Sequence, residues 1–140
     1  MSMVDVSGKE VVFRKARARA RMELPRELLA RVAAGEMTGP KGPVFQTAVL
    51  AGTMAAKDTG RLIPYCHPLA IERCEIRIIP GEEALTIEAE VAAHARTGVE
   101  MEALAAVAVA ALAVYDMCKG QADRIVVREI KLLEKSKSSG

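Results

Sequence analysis

From Ala103 to Tyr115 the chain carries no charged residue, and this run narrows the folds open to it. It is shorter than the ~20 apolar residues that span a bilayer. Thr97 and Glu100 ahead of it form a capping-box signature, and Lys119-Gly120 behind it are a stop, so the spacing predicts one helix from Thr97 to Gly120. A helix apolar on every face must be covered all round. One face is expected on a sheet and another against a second subunit.

The rest of the chain supplies the sheet. Val11 to Leu24 alternate strictly, with Lys15, Arg17, Arg19 and Arg21 on one side and Arg14, Ala16, Ala18, Ala20 and Met22 on the other, the period of a strand. Pro25 suits a helix start and Gly35 its stop, which predicts a short helix from Pro25 to Ala34. A loop from Gly35 to Pro43 holds Lys41. Helical spacing returns from Val44 to Thr59 and ends at Gly60 and Pro64. Leu69 to Ile79 and Leu85 to His94 alternate around Pro80-Gly81, which reads as an antiparallel hairpin. Arg124 to Leu133 read as a last strand. The order β, α, α, β, β, α, β predicts an α+β fold, a ferredoxin-like split βαβ sandwich with an antiparallel sheet and one extra short helix.

At 140 residues, half of them apolar, the chain is expected to be one domain over 1–140, with residues 1–8 and 135–140 mobile. Three cysteines without paired spacing or a leader point to free thiols in the cytoplasm. A net charge of +2, no Trp and two each of Tyr and Phe argue against nucleic-acid binding, and no segment reads as a membrane span. No Walker loop, dinucleotide fingerprint or nucleophile elbow occurs, and Cys66, His67, Cys74, His94 and Cys118 lack metal-ligand spacing.

Three polar clusters remain. In Leu62-Ile63-Pro64-Tyr65-Cys66-His67-Pro68-Leu69 two prolines stiffen the backbone around a thiol and an imidazole, either to present them or merely to end a helix. Glu100 is accounted for by the capping box. Glu102, the last charge before the apolar run, either lines a pocket or simply favours the helix dipole, and Met101 reads as core. Asp116 lies in the last turn, where a carboxylate opposes the macrodipole by ~0.3–1 kcal/mol. Lys119 at i+3 compensates it, as a surface ion pair or as an acid/base pair. The ladder Lys15, Arg17, Arg19, Arg21 spaces charges for phosphates or for a solvated edge. Lys9, Arg14, Lys41, Lys119 and Lys135 could together hold a polyphosphate.

Taken together these segments resemble the cyclic pyranopterin monophosphate synthases, the MoaC family of molybdenum cofactor biosynthesis. The likeness runs nearly end to end, through Met3 to Lys9, Arg14, Lys41-Gly42, Ala51-Gly52, Leu62 to Leu69, Thr97 to Leu104, Tyr115 to Lys119 and Leu132 to Ser136. Pro43 stands where an acidic residue is common and Arg96 where lysine is usual. His94 belongs to no motif and receives no role. The resemblance implies a lyase that converts 3′,8-cyclo-7,8-dihydroguanosine 5′-triphosphate, made by an upstream radical enzyme, to cyclic pyranopterin monophosphate and pyrophosphate. It further implies a hexamer, a trimer of dimers, with sites at dimer interfaces. Asp116 is the family's favoured acid/base, with Lys119, Lys41 and His67 as further catalytic candidates. Tyr65, Cys66, His67, Met101 and Glu102 match substrate-contacting segments, with Glu100, Arg14, Lys9 and Lys135 as further binding candidates. No cofactor is expected, and Mg²⁺ accompanying the triphosphate is left open. A non-catalytic nucleotide-binding relative is the rival, which loss of Asp116 or Lys119 would have favoured.

Overall fold

A computed structural model describes residues 1–139. Its sheet is built on β1 (Val12–Glu23), which alternates as its sequence requires: Ala16, Ala18, Ala20 and Met22 are buried while Lys15, Arg17 and Arg19 lie on the opposite face. β4 (Arg73–Pro80) and β5 (Ala84–Ala95) form the hairpin and β6 (Val126–Ser138) the last strand. All pairs are antiparallel in the order β4-β5-β1-β6, the ferredoxin-like topology.

Two helices cover the alanine face of this sheet, α2 (Val44–Lys57) and α4 (Glu100–Cys118). Their contact is tight because the facing residues are small. A Cβ on Gly52 would sit 2.6 Å from the Ala106 carbonyl and 2.7 Å from Ile76 Cδ1. At 19 residues and a mean hydropathy of 1.7, α4 as a whole could cross a membrane by length and composition. It is instead the central core helix, with Ala103, Ala106, Val107, Ala110, Ala111 and Val114 fully buried.

Several boundaries differ from those predicted. The first helix is only α1 (Arg26–Leu29), because Ala33 and Glu36 exchange backbone hydrogen bonds and Ala34 takes φ 51°, which stops the helix early. The loop to Pro43 contains a small hairpin, β2 (Thr38–Gly39) with β3 (Gly42–Pro43), and a short α3 (Thr59–Leu62) follows α2. α4 starts at Glu100 with Val99 as N-cap and no side-chain cap, so Thr97 and Glu100 do not form the predicted capping box. Its first backbone bond runs from the Ala103 N–H to the Val99 carbonyl. The tail expected to be mobile from 135 is strand through Ser138, since β1 is long enough to pair Phe13 with Ser138 and Ala16 with Lys135. Gly140 lies outside the described residues. In the N-terminal segment Asp5 Oδ1 accepts from the Ser7 N–H and hydroxyl at 2.9 and 2.7 Å.

Candidate active site

The predicted site residues fall into two groups at opposite ends of α4. Glu102 and Asp116 are separated by about 21 Å at a rise of about 1.5 Å per residue.

At the N-terminal end, Glu102 is 2 % exposed, and its Oε1 has no hydrogen-bond partner among the described residues. Its Oε2 lies 3.9 Å from Cys66 Sγ. Burial, reinforced by the charge of Glu100, raises the Glu102 pKa above the ordinary carboxylate value. The Cys66 thiol is pushed up as well, by burial first and then by Glu102. Both shifts favour the protonated forms, and a raised pKa makes the Cys66 thiol less ready to ionise than a free cysteine.

Beside them His67 makes a 2.7 Å bond from Nε2 to the Val4 carbonyl. A carbonyl only accepts, so Nε2 carries the hydrogen in this bond, and Nδ1 is the ring nitrogen left outside it. The arm Met3 to Ser7, His67 and Arg96 line an open cleft of about 560 Å³. Tyr65 and Met101 are exposed at the same end. Lys135 Nζ is 3.9 Å from Glu100, and Arg14 donates to the Ala95 and Arg96 carbonyls just ahead of α4. Lys9 and Arg14 share a second cleft, of about 420 Å³, with Lys137.

At the C-terminal end, the β2–β3 hairpin turns through Gly42, whose φ of 113° is a glycine conformation. It thereby brings Lys41 to α4. Lys41 Nζ lies 2.8 Å from Asp116 Oδ2 and Lys119 Nζ 3.0 Å from Oδ1. The hydrogen bond from Lys41, then that from Lys119, hold the Asp116 pKa below its ordinary value. The group is a carboxylate between two ammonium ions, about half exposed. It can take up a proton, and the ammonium ions can meet developing negative charge.

The polyphosphate set read from the sequence is thus divided, with Lys41 and Lys119 together and Lys9, Arg14 and Lys135 at the far end. The basic ladder is a charge lattice across the open face of the sheet. Arg17 stands between Glu88 and Glu134 at 3.9 and 3.5 Å, Lys15 lies 3.9 Å from Glu90, and Arg19 lies 3.0 Å from Glu129. A further cleft of about 600 Å³ lies near Arg26 and Arg128, which pair with Glu83 and Glu23. It contains no motif residue. Among the described residues no three His, Cys, Asp or Glu side chains are grouped to hold a metal ion. His94 pairs with Glu72 at 2.7 Å.

A family model described as MoaC family matches residues 3–138. The chain belongs to the MoaC family. A relative from Mycobacterium tuberculosis (strain ATCC 25618 / H37Rv) named "Cyclic pyranopterin monophosphate synthase 3" is 50 % identical over 135 residues, covering 96 % of this chain and 75 % of the relative. One from Xanthomonas campestris pv. campestris (strain 8004), named "Cyclic pyranopterin monophosphate synthase", is 47 % identical over 135 residues, with 96 % and 82 % covered. In this MoaC-family chain the sequence singled out Lys41, Asp116 and Lys119 of the one group and Cys66, His67 and Glu102 of the other, but not Arg96, which lines the cleft beside His67. Sequence reasoning also missed the Val4 carbonyl and Glu36, whose carboxylate accepts backbone N–H groups at the base of the Lys41 hairpin. The signal for Glu36 was the absence of any capping side chain where α2 begins at Pro43.

Proposed function

We propose that this MoaC-family chain is a lyase that converts 3′,8-cyclo-7,8-dihydroguanosine 5′-triphosphate to cyclic pyranopterin monophosphate and pyrophosphate, in molybdenum cofactor biosynthesis. The observation that carries the reading is the carboxylate of Asp116 between Lys41 and Lys119 at 2.8 and 3.0 Å. Closing the cyclic phosphate joins a sugar hydroxyl oxygen to the α-phosphorus, breaks its bond to pyrophosphate and releases the hydroxyl proton. Asp116 accepts that proton, and the lysine ammonium ions face the charge that develops on the leaving pyrophosphate. Opening the purine-derived ring needs further proton transfers, for which His67 Nδ1 and Lys119 serve. Cys66 and Glu102, with Tyr65, Met101 and Glu100, are placed to meet the edge of the base. Arg14, Lys9 and Lys135 supply positive charge beside them.

A nucleotide cannot touch both groups across about 21 Å of one helix. The working site therefore combines the N-terminal group of one chain with the C-terminal group of a second. The outer stripe of α4 is the surface for that pairing: Leu112 is 60 % exposed and Tyr115 41 %, with Leu104, Ala105, Ala108 and Val109 half-buried between them and Met101. Met101 and Asp116, like Ala105 and Leu112, lie symmetrically about Ala108 and Val109. A twofold axis there sets two α4 helices antiparallel and places each N-terminal group against the partner's Asp116, and three such dimers make a hexamer. The enzyme works in the cytoplasm on a substrate released by a radical enzyme. It uses no resident cofactor, and any Mg²⁺ arrives on the triphosphate. Incubation of the protein with the cyclised dihydro-GTP under anaerobic conditions tests the reading. Pyrophosphate and an oxidisable fluorescent pterin are expected in equal amounts, and neither would appear if the chain only bound nucleotides.

A further inference from the structure

α2 begins at a proline. Pro43 at its N-cap offers no side-chain acceptor, and no acid stands in the first turn. The first N–H groups of a helix lack intrahelical partners and must find them elsewhere. Here they find Glu36, from the far side of the β2–β3 hairpin. Its Oε1 accepts from the Phe45 N–H at 2.7 Å, and its Oε2 from the Gln46 N–H at 3.0 Å. The same Oε1 accepts from the Met37 N–H, also at 2.7 Å. One carboxylate thus ties the residue that enters the hairpin to those that leave it. The Val44 N–H, bonded to the Met37 carbonyl at 2.8 Å, closes the same neck.

Beyond that neck the hairpin has little to hold it. Its ladder is two residue pairs, Thr38 with Pro43 and Gly39 with Gly42, and a ribbon that short does not persist on its own. Gly39 packs on α4, where an added Cβ would lie 3.3 Å from Gln121 Nε2 and 3.5 Å from the Met117 carbonyl. Lys41 stands at the tip, with its ammonium on Asp116.

We propose that Glu36 is a positioning residue for Lys41: by clamping both stems of the hairpin through one carboxylate it holds the Lys41 ammonium on Asp116. Burial opposes ionisation of Glu36, but the hydrogen bonds from Phe45, Met37 and Gln46 outweigh it and keep the group a carboxylate. The proposal rests on the reading of Lys41 as a group that acts on substrate. Its test is a cycle of Glu36→Ala, Lys41→Ala and the double variant, with Glu36→Gln alongside, each assayed as the assembled oligomer for pyrophosphate release and for melting temperature.

Glu36→Ala is expected to lower kcat/KM about ten- to a hundredfold, the range for a displaced catalytic group. In the Lys41→Ala background it should cost almost nothing further, because nothing is left to position. Glu36→Gln keeps an oxygen where Oε1 bridges Met37 and Phe45, and should recover most of the loss. An equal loss from Glu36→Ala in both backgrounds would overturn the proposal and leave Glu36 a helix cap only. Full turnover by Lys41→Ala would overturn the reading of Lys41, and this proposal with it. Should Glu36→Ala fail to assemble, adding Pro43→Asp gives α2 its own acceptor while the Met37 stem stays untied. Low turnover from that folded variant supports the clamp, and wild-type turnover overturns it.

Discussion

At Asp116 two ammonium groups meet one carboxylate, and that arrangement sets its behaviour with pH. Its depressed pKa means that the base form persists as pH falls through the ordinary aspartate range. Its share of stability, present above the unfolded value, is lost only as pH drops through the lower folded one. The acid limb of kcat/KM due to Asp116 should therefore lie below the ordinary aspartate value and move up in Lys41→Ala, as a pH profile of pyrophosphate release will read. Asp116→Asn should lower kcat by about 10²–10⁴-fold, the usual scale of general acid–base catalysis, with a smaller change in KM. Glu102 has the opposite sign. Its pKa is raised by burial, so between the unfolded and the folded value the folded chain holds a proton that the unfolded chain has lost. The associated stability is full below the unfolded value and disappears as pH rises through the folded one. Glu102→Gln, which needs no proton, should melt higher than wild type at neutral and alkaline pH, by roughly 1–3 kcal/mol at most. At a pH below the unfolded value the two should converge. Melting curves across pH measure this, and parallel curves would show that Glu102 is ionised when buried.

Among the elements, α4 and β1 were the most legible in the sequence, because an uncharged run and a strict alternation each allow one solution. The antiparallel hairpin followed from the same alternation, and the succession of elements was compatible with a ferredoxin-like sandwich. What stayed hidden were contacts that leave no period. Lys41 meets Asp116 across 75 positions and His67 meets the Val4 carbonyl across 63. The strand through Ser138 was hidden too, since its Lys and Ser residues take their order from β1 and not from apolar alternation. The capping box failed because two residues of the right type do not fix where a helix starts. Close packing of α2 on α4 has a direct test in Gly52→Ala. A Cβ 2.6 Å from a backbone oxygen must push the helices apart, with an expected loss of about 1–3 kcal/mol by denaturant melting. The lattice on β1 has a different one. Arg17 is engaged by Glu88 and Glu134, so Arg17→Ala should cost about 0.2–1 kcal/mol and leave tripolyphosphate binding unchanged. Lys41→Ala should weaken that binding without a comparable loss of stability. Equal weakening by the two would return the ladder to the site.

For the whole molecule the decisive distance is the separation of the two groups along α4, about 21 Å, on which the proposed shared site rests. If sites form between chains related by the α4 stripe, a chain defective at His67 and a chain defective at Asp116 repair each other. Each mixed dimer then has one intact site and one doubly defective site. The measurement to make is anaerobic turnover of the cyclised dihydro-GTP by His67→Gln and Asp116→Asn chains, inactive alone and reassembled together. Statistical pairing at a twofold interface should give about a quarter of wild-type pyrophosphate release, with pterin in step. Mixed oligomers that stay as inactive as either variant, beside a fully active wild-type control, would contradict the shared site and place both groups' chemistry within single chains.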